Sequence, residues 1–204
     1  MRTLTKSLLT ASILGLGTAA SAQMAEIQNG EALSADATIA ENAMQVQNFS
    51  TLVAAVQAAG LAEDLMGPGP FTVFAPTDEA FARLPEGTLD NLLLPENAAS
   101  LETLLRAHVV PGYIGAAEIE AGLDGAMPTG GETTLQMLDD RLYARTLTAG
   151  ENIYFEENGD AIEIAAEVES ADQVISPEAR IIATDIMSSN GVIHVIDGVL
   201  MPQM

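Results

Sequence analysis

The order of hydrophobic patterns predicts an α+β domain. Two observations carry that reading. Apolar residues at helical spacing crowd the first half of the chain, and strand-like segments separated by turn signals fill the second. The turns between those strands are short, which suits antiparallel pairing and not the long crossovers of a parallel sheet.

The chain opens with a segment that does not read as part of the fold. Arg2 and Lys6 precede a short apolar run, Leu8 to Leu16, and Ala20-Ser21-Ala22 supplies small residues before Gln23. That layout predicts a signal peptide over residues 1–22. Residues 23–37 are polar and small and predict a flexible tether, leaving 38–204 as the domain. No later segment reaches the ~18 apolar residues of a membrane-spanning helix, so no span is expected once the leader is removed.

Within the domain, Phe49, Leu52, Val53 and Val56 recur at i, i+3, i+4 and i+7, one stripe of a helix that Gly60 can stop. Gly67 to Pro70 breaks the chain before a strand, Phe71 to Ala75. On that strand Phe71, Val73 and Ala75 face one way, and Thr72 and Phe74 the other. Pro76 ends it, and Thr77 is placed to cap a helix that carries Asp78 and Glu79 in its first turn. A further helix carries Leu101, Leu104, Leu105 and His108 at the same helical spacing. Later come strand pairs around Asp139-Asp140, around Asn158-Gly159-Asp160 and around Ser188 to Gly191. Asn-Gly is the strongest of these hairpin signals, because both residues tolerate positive φ.

Composition narrows the partners. The 204 residues hold 7 basic and 29 acidic side chains, a net charge of −22, and no cysteine. Removal of the leader takes Arg2 and Lys6 with it and leaves no lysine. Such a surface repels phosphate backbones and anionic membranes, so nucleic acid is not an expected partner. Without thiols, stability has to come from packing, although an export route would permit disulfides. The carboxylates attract divalent cations only loosely, since no spaced calcium loop is present.

Three segments together resemble the signature segments of the fasciclin domain family: "FTVFAPTDEAF" (Phe71 to Phe81), "LLRAHVVPG" (Leu104 to Gly112) and "NGVIHVIDGVLMP" (Asn190 to Pro202). "NFSTLVAAVQAAGL" is similar to the family's opening helix. The resemblance runs from about Thr38 to Pro202. It implies a single fasciclin-like domain, a compact wedge of short, mainly antiparallel strands flanked by helices. It also implies a secreted or periplasmic setting, with roles in adhesion or matrix interaction and no enzymatic activity. The motif residues are Thr72, Phe74, Ala75, Pro76, Thr77, Asp78, Phe81, His108, Pro111, Gly112, Asn190, Gly191, His194 and Asp197. One departure stands out. The family often has Tyr-His where this chain has Ala107-His108, and that tyrosine belongs to a segment implicated in adhesion in some animal members. That activity is therefore not carried over.

The chemistry of the residues agrees with a structural role for those motifs. His194 lies between Val192 and Ile196 on one strand face, where a buried imidazole needs partners for both nitrogens. A neutral ring bonded to a backbone carbonyl is expected to pin the last strand. Asp197-Gly198 predicts a turn in which the carboxylate accepts backbone N–H bonds. His108 follows a helix and is expected nearer the surface. No G-x-S-x-G elbow, H-E-x-x-H or phosphate loop is present, so a catalytic site would have to be assembled from a histidine and a distant acid. No cofactor and no metal is implied.

The leading expectation is a secreted, non-enzymatic protein that binds a surface or matrix protein or polysaccharide, as a monomer or weak dimer. Exposed loops such as Gly122 to Gly131 are candidate contacts. The alternative is a carrier of a small apolar ligand such as a carotenoid, as some members of the family are. Met66, Met127, Met137 and Met187 would then be candidate pocket residues.

Overall fold

A computed structural model describes residues 33–124, 135–138, 141–148, 151–159, 161–166 and 178–201. The helices come first: α1 (Ile39–Gln45), α2 (Ser50–Ala58), α3 (Ala62–Met66), α4 (Asp78–Ala82), α5 (Thr88–Leu92), α6 (Ala98–Ala107) and α7 (Ala116–Leu123). Strand β1 (Phe71–Pro76) separates α3 from α4, and β2 (Val109–Pro111) separates α6 from α7. The remaining strands are β3 (Leu135–Leu138), β4 (Arg141–Arg145), β5 (Asn152–Asn158), β6 (Ala161–Ala165), β7 (Ala179–Ser188) and β8 (Gly191–Ile196).

Local chemistry starts the helices. Thr38 and Glu41 form a capping box on α1, each side chain bonding the other's backbone N–H, which satisfies two donors that a helix start leaves orphaned. The Thr77 hydroxyl accepts from the Ala80 N–H and caps α4. Between β5 and β6 the chain turns at Gly159, which sits at φ +67°, a conformation that glycine adopts without a Cβ penalty.

One eight-stranded sheet runs in the order β2-β1-β8-β7-β6-β5-β4-β3. All neighbours are antiparallel except β1 and β8, which pair in parallel from Phe71↔Gly191 to Pro76↔Ile196. The far strands curl back toward β2. Beyond β4, the Leu147 N–H donates to the Val109 carbonyl at 2.8 Å, and the Thr148 hydroxyl reaches the Thr103 carbonyl at 3.0 Å.

This curl gives β1 and β8 a core on each face. Val73, Ala75, Ile193 and Val195 pack against Phe49, Leu52, Leu101 and Leu104 from the helices. Phe74 and Ile196 pack on the other side with Ile119, Leu142, Ile153 and Phe155. A strand buried on both faces reads as a continuous apolar run, as these two do. No described helix is long and apolar enough to cross a membrane.

Candidate functional site

The motif residues converge on the β1–β8 pair, where they join elements that are remote in sequence. The Thr72 hydroxyl donates to the Gly112 carbonyl at 2.8 Å and accepts from the Ile114 N–H at 2.9 Å, tying β1 to the segment beyond β2. Pro111 closes β2 opposite Phe71, at the sheet edge where a residue without an N–H does least harm. Phe74 is wholly buried and stacks on the His194 ring with centroids 5.5 Å apart. Ala75, Pro76 and Phe81 are buried too, Ala75 and Phe81 in the core on the opposite face.

Asp78 caps a different helix from its own. Its carboxylate accepts from the Ser50 hydroxyl and the Thr51 N–H, both at 2.7 Å, so it closes the start of α2. Partial burial pushes its pKa up, but the Ser50 and Thr51 hydrogen bonds outweigh that and hold it below the usual aspartate value.

Asn190 clamps three elements. Its side-chain oxygen accepts from the Ile39 N–H at 2.9 Å, and its amide donates to the Leu65 and Gly67 carbonyls at 2.8 and 2.9 Å. Gly191 leaves room for the adjoining strand: a Cβ there would lie 1.9 Å from the Phe71 carbonyl oxygen. Asp197 accepts from the Arg180 N–H at 2.7 Å and pairs with Arg83 at 3.2 Å.

The two histidines carry opposite tautomers. His108 Nδ1 lies 2.8 Å from the Leu104 carbonyl, and its Nε2 accepts from the Leu200 N–H at 3.0 Å. A carbonyl can only accept, so the proton is on Nδ1. In His194 the proton is on Nε2, 2.7 Å from the Ile114 carbonyl, while Nδ1 faces the Asp185 N–H at 3.4 Å. Both rings are neutral bolts between backbone segments. Burial lowers the His108 pKa to about 4 against a smaller raising effect of the Leu104 bond. Burial likewise lowers that of His194, opposed by the Ile114 bond and by the Asp185 and Glu118 charges. The expectation that His108 lies nearer the surface is corrected, because the end of α6 is covered by the C-terminal segment and its ring is buried.

With both nitrogens of each ring bonded to backbone, neither histidine has a lone pair free to activate a hydroxyl. Among the described residues no group of three or more histidine or acidic side chains could hold a metal ion.

The open feature of the molecule adjoins this region, with the buried His108, Phe74 and Ala75 among its lining residues. A groove of about 490 Å³ runs between α1, α2 and α3 on one side and β1, the end of α6 and Leu147 on the other. Val53, Val56, Leu65 and Phe71 line it and are only partly buried. Met44 and Leu147 stand at its mouth, 52% and 41% exposed. Its charged edge holds Glu63, Asp64 and Arg106. Arg106 is engaged by Asp64 at 3.5 Å and by Glu102 at 2.9 Å.

Sequence reasoning found the apolar stripe of α2 but not that Leu52, Val53 and Val56 of it line this groove. Its methionine candidates are corrected. Met66, Met137 and Met187 are exposed and do not line the groove, and Met127 lies outside the described residues. The exposed-loop expectation is corrected at Gly122, which is buried inside α7 against Leu142; residues 125–131 lie outside the described residues. Two polar joints were also missed. Asn42 is wholly buried and bonds Ser34 and Ser188. Asp185 sits at φ +58°, and its carboxylate accepts from the Ala116 N–H at 3.0 Å.

Comparison with known proteins agrees with this architecture. The fasciclin domain family matches residues 47–202. Protein sll1483 of Synechocystis sp. is 39% identical over 201 residues, covering 96% of this chain and 93% of its own. The transforming growth factor-beta-induced protein ig-h3 of Sus scrofa is 35% identical over 76% of this chain, which spans only 18% of that protein. Among solved structures, the FAS1 domain pair of the insect cell adhesion molecule Fasciclin I aligns with a TM-score of 0.62 at 14% identity. It covers 81% of this chain, which spans about half (51%) of that one. The chain belongs to the fasciclin domain family.

Proposed function

We propose that this chain is an exported, non-catalytic binding domain that acts at the cell surface or in the surrounding matrix through contact with protein or polysaccharide. On this reading residues 1–22 direct export, 23–37 tether and 38–204 form the domain, with the end of the tether, Leu33 to Ala37, fastened onto the domain through Leu33, Ser34 and Ala37. The observation that carries it is a division of labour. The motif residues are consumed in internal joints, Phe74, Ala75 and His108 reaching the groove only as its buried floor, whereas the rim of that groove between α1, α2, α3 and β1 leaves apolar side chains uncovered. Exposed apolar surface with a polar edge marks an interaction site. The kinship with a cell adhesion molecule supports the same direction.

The test is a strain lacking the protein, complemented by wild type or by the double variant Met44→Glu and Leu147→Asp. Attachment, aggregation and biofilm formation are expected to fall in the deletion, return with wild type, and stay low with the variant. Unchanged behaviour in the deletion overturns the reading.

A second reading is carriage of a small apolar ligand such as a carotenoid. The groove favours it, because about 490 Å³ lies within the range of ligand sites and the lining is largely aliphatic. Protein purified from its native host would then carry a visible absorption band. A colourless preparation with no extractable ligand overturns it.

A further inference from the structure

We propose that the groove receives a basic amphipathic helix of a partner protein. This rests on the binding-domain reading above and names the partner class for the same site.

The shape of the site favours a peptide segment over an enclosed small molecule. The mouth is open, with Met44 and Leu147 projecting at solvent-exposed positions. An amphipathic helix lays a row of apolar anchors at i, i+3 or i+4 and i+7 into such a groove and keeps its other face in water. The walls suit that use. They are aliphatic side chains on short helices, edged by a methionine whose unbranched thioether repacks around anchors of differing shape.

Charge decides the sign of the partner. Glu63, Asp64 and Arg106 line the edge, and the Arg106 guanidinium is already bridged by Asp64 and, from behind the lining, by Glu102. An acidic excess therefore remains at the groove. The whole chain adds to it, with 29 acidic and 7 basic side chains. A lysine- or arginine-rich helix face is steered toward this edge, and an acidic one is repelled. A neutral apolar molecule gains nothing from these carboxylates. An anionic polysaccharide loses by them, and a neutral one finds few polar side chains along the lining.

The test uses the purified exported chain and three fluorescent peptides of about 18 residues, five helical turns. One alternates leucine and lysine at helical spacing. A second replaces each lysine by glutamate. A third keeps the lysines and replaces each leucine by serine. Fluorescence anisotropy near 0.15 M NaCl is expected to show the leucine–lysine peptide binding about tenfold or more tighter than either of the others. Its affinity is expected to fall as salt is raised.

The double variant Met44→Glu and Leu147→Asp is expected to bind that peptide about tenfold more weakly, although it is more negative than wild type. Both positions are exposed, and an unchanged urea midpoint shows that the fold is kept. The variant Glu63→Gln and Asp64→Asn is expected to bind more weakly and with less salt dependence.

Three results overturn the proposal. Equal binding of the lysine–serine peptide, or undiminished binding by the Met44/Leu147 variant, means attraction by charge alone. Equal binding of the glutamate peptide means apolar contact without charge selection. No binding of any peptide means that the groove does not take helices. In that last case the binding-domain reading still stands or falls separately, on the attachment assay with the same groove variant.

Discussion

The β1–β8 pair and the α1–α2–α3 groove are built from similar residues and come out differently. Both are rich in aliphatic side chains. In the strand pair the apolar faces are covered except at Phe71, where β1 meets the groove, and the polar groups in it or beside it, Thr72, His108, Asn190 and His194, are bonded to backbone of distant segments. In the groove the aliphatic side chains of Val53, Val56 and Leu65 are left partly open. Signature residues in this fold are thus joints, and the uncovered surface lies beside them. Substitutions in the first region should cost stability. Those at the groove mouth should cost almost none.

Gly191→Ala should break the first region hardest. The added methyl would meet the Phe71 carbonyl oxygen at 1.9 Å, and what it meets is paired strand backbone and not a flexible side chain. A loss of at least about 5 kcal/mol is expected, comparable to the whole stability of many domains. Urea unfolding followed by circular dichroism measures it.

His194→Ala comes next. It empties a ring-sized volume against Phe74 and strands the Ile114 carbonyl. The expected cost is about 4 kcal/mol, read from the same urea curves.

Acid sharpens the picture for the second histidine. In the folded chain His108 binds its proton only near pH 4, whereas unfolded histidine binds near pH 6.5. Between those values the unfolded state holds more protons. The stabilising contribution is therefore complete above about pH 6.5 and shrinks as pH falls through about 4, by about 3 kcal/mol in total. A His108→Asn variant should show a flatter profile of unfolding free energy against pH across that window.

Asp78→Ala removes a cap from α2, and about 1 kcal/mol is the expected loss. Because its folded pKa is depressed, the wild-type contribution is present above the ordinary aspartate range and disappears as pH falls below it. Met44→Ser, at the groove mouth, should move the urea midpoint by less than about 0.5 kcal/mol equivalent. A large destabilisation there would erase the contrast between the two regions.

Local signals in the chain were legible where the physics is local. The Thr77 cap, the Asn158-Gly159 turn and the alternation of "FTVFA" each depend on neighbours within a few residues. The apolar surroundings of His194 and its bond to a backbone carbonyl followed from one rule about buried polar groups. What escaped was set by distance. Hairpin signals point to antiparallel neighbours, and nothing near Phe71 announces a parallel partner that begins at Gly191. The Asn190 clamp reaches Ile39, 151 residues away. Periodicity placed Phe49, Leu52, Val53 and Val56 on one stripe, but a stripe facing a core and one facing a cleft have the same spacing. Phe49 went to the core, Leu52 is buried there with an edge on the groove, and Val53 and Val56 stand partly open along it.

Nitrogen-15 NMR of the two imidazoles tests the structural role of the motifs most directly. At pH 6.5 His108 should show the neutral form protonated on Nδ1, unchanged down to about pH 5, and His194 the neutral form protonated on Nε2, taking up its proton only below the ordinary histidine value. A ring that exchanges rapidly between tautomers, or that takes up its proton near the ordinary pKa of 6.5, would contradict the account and return that histidine to the search for an active centre.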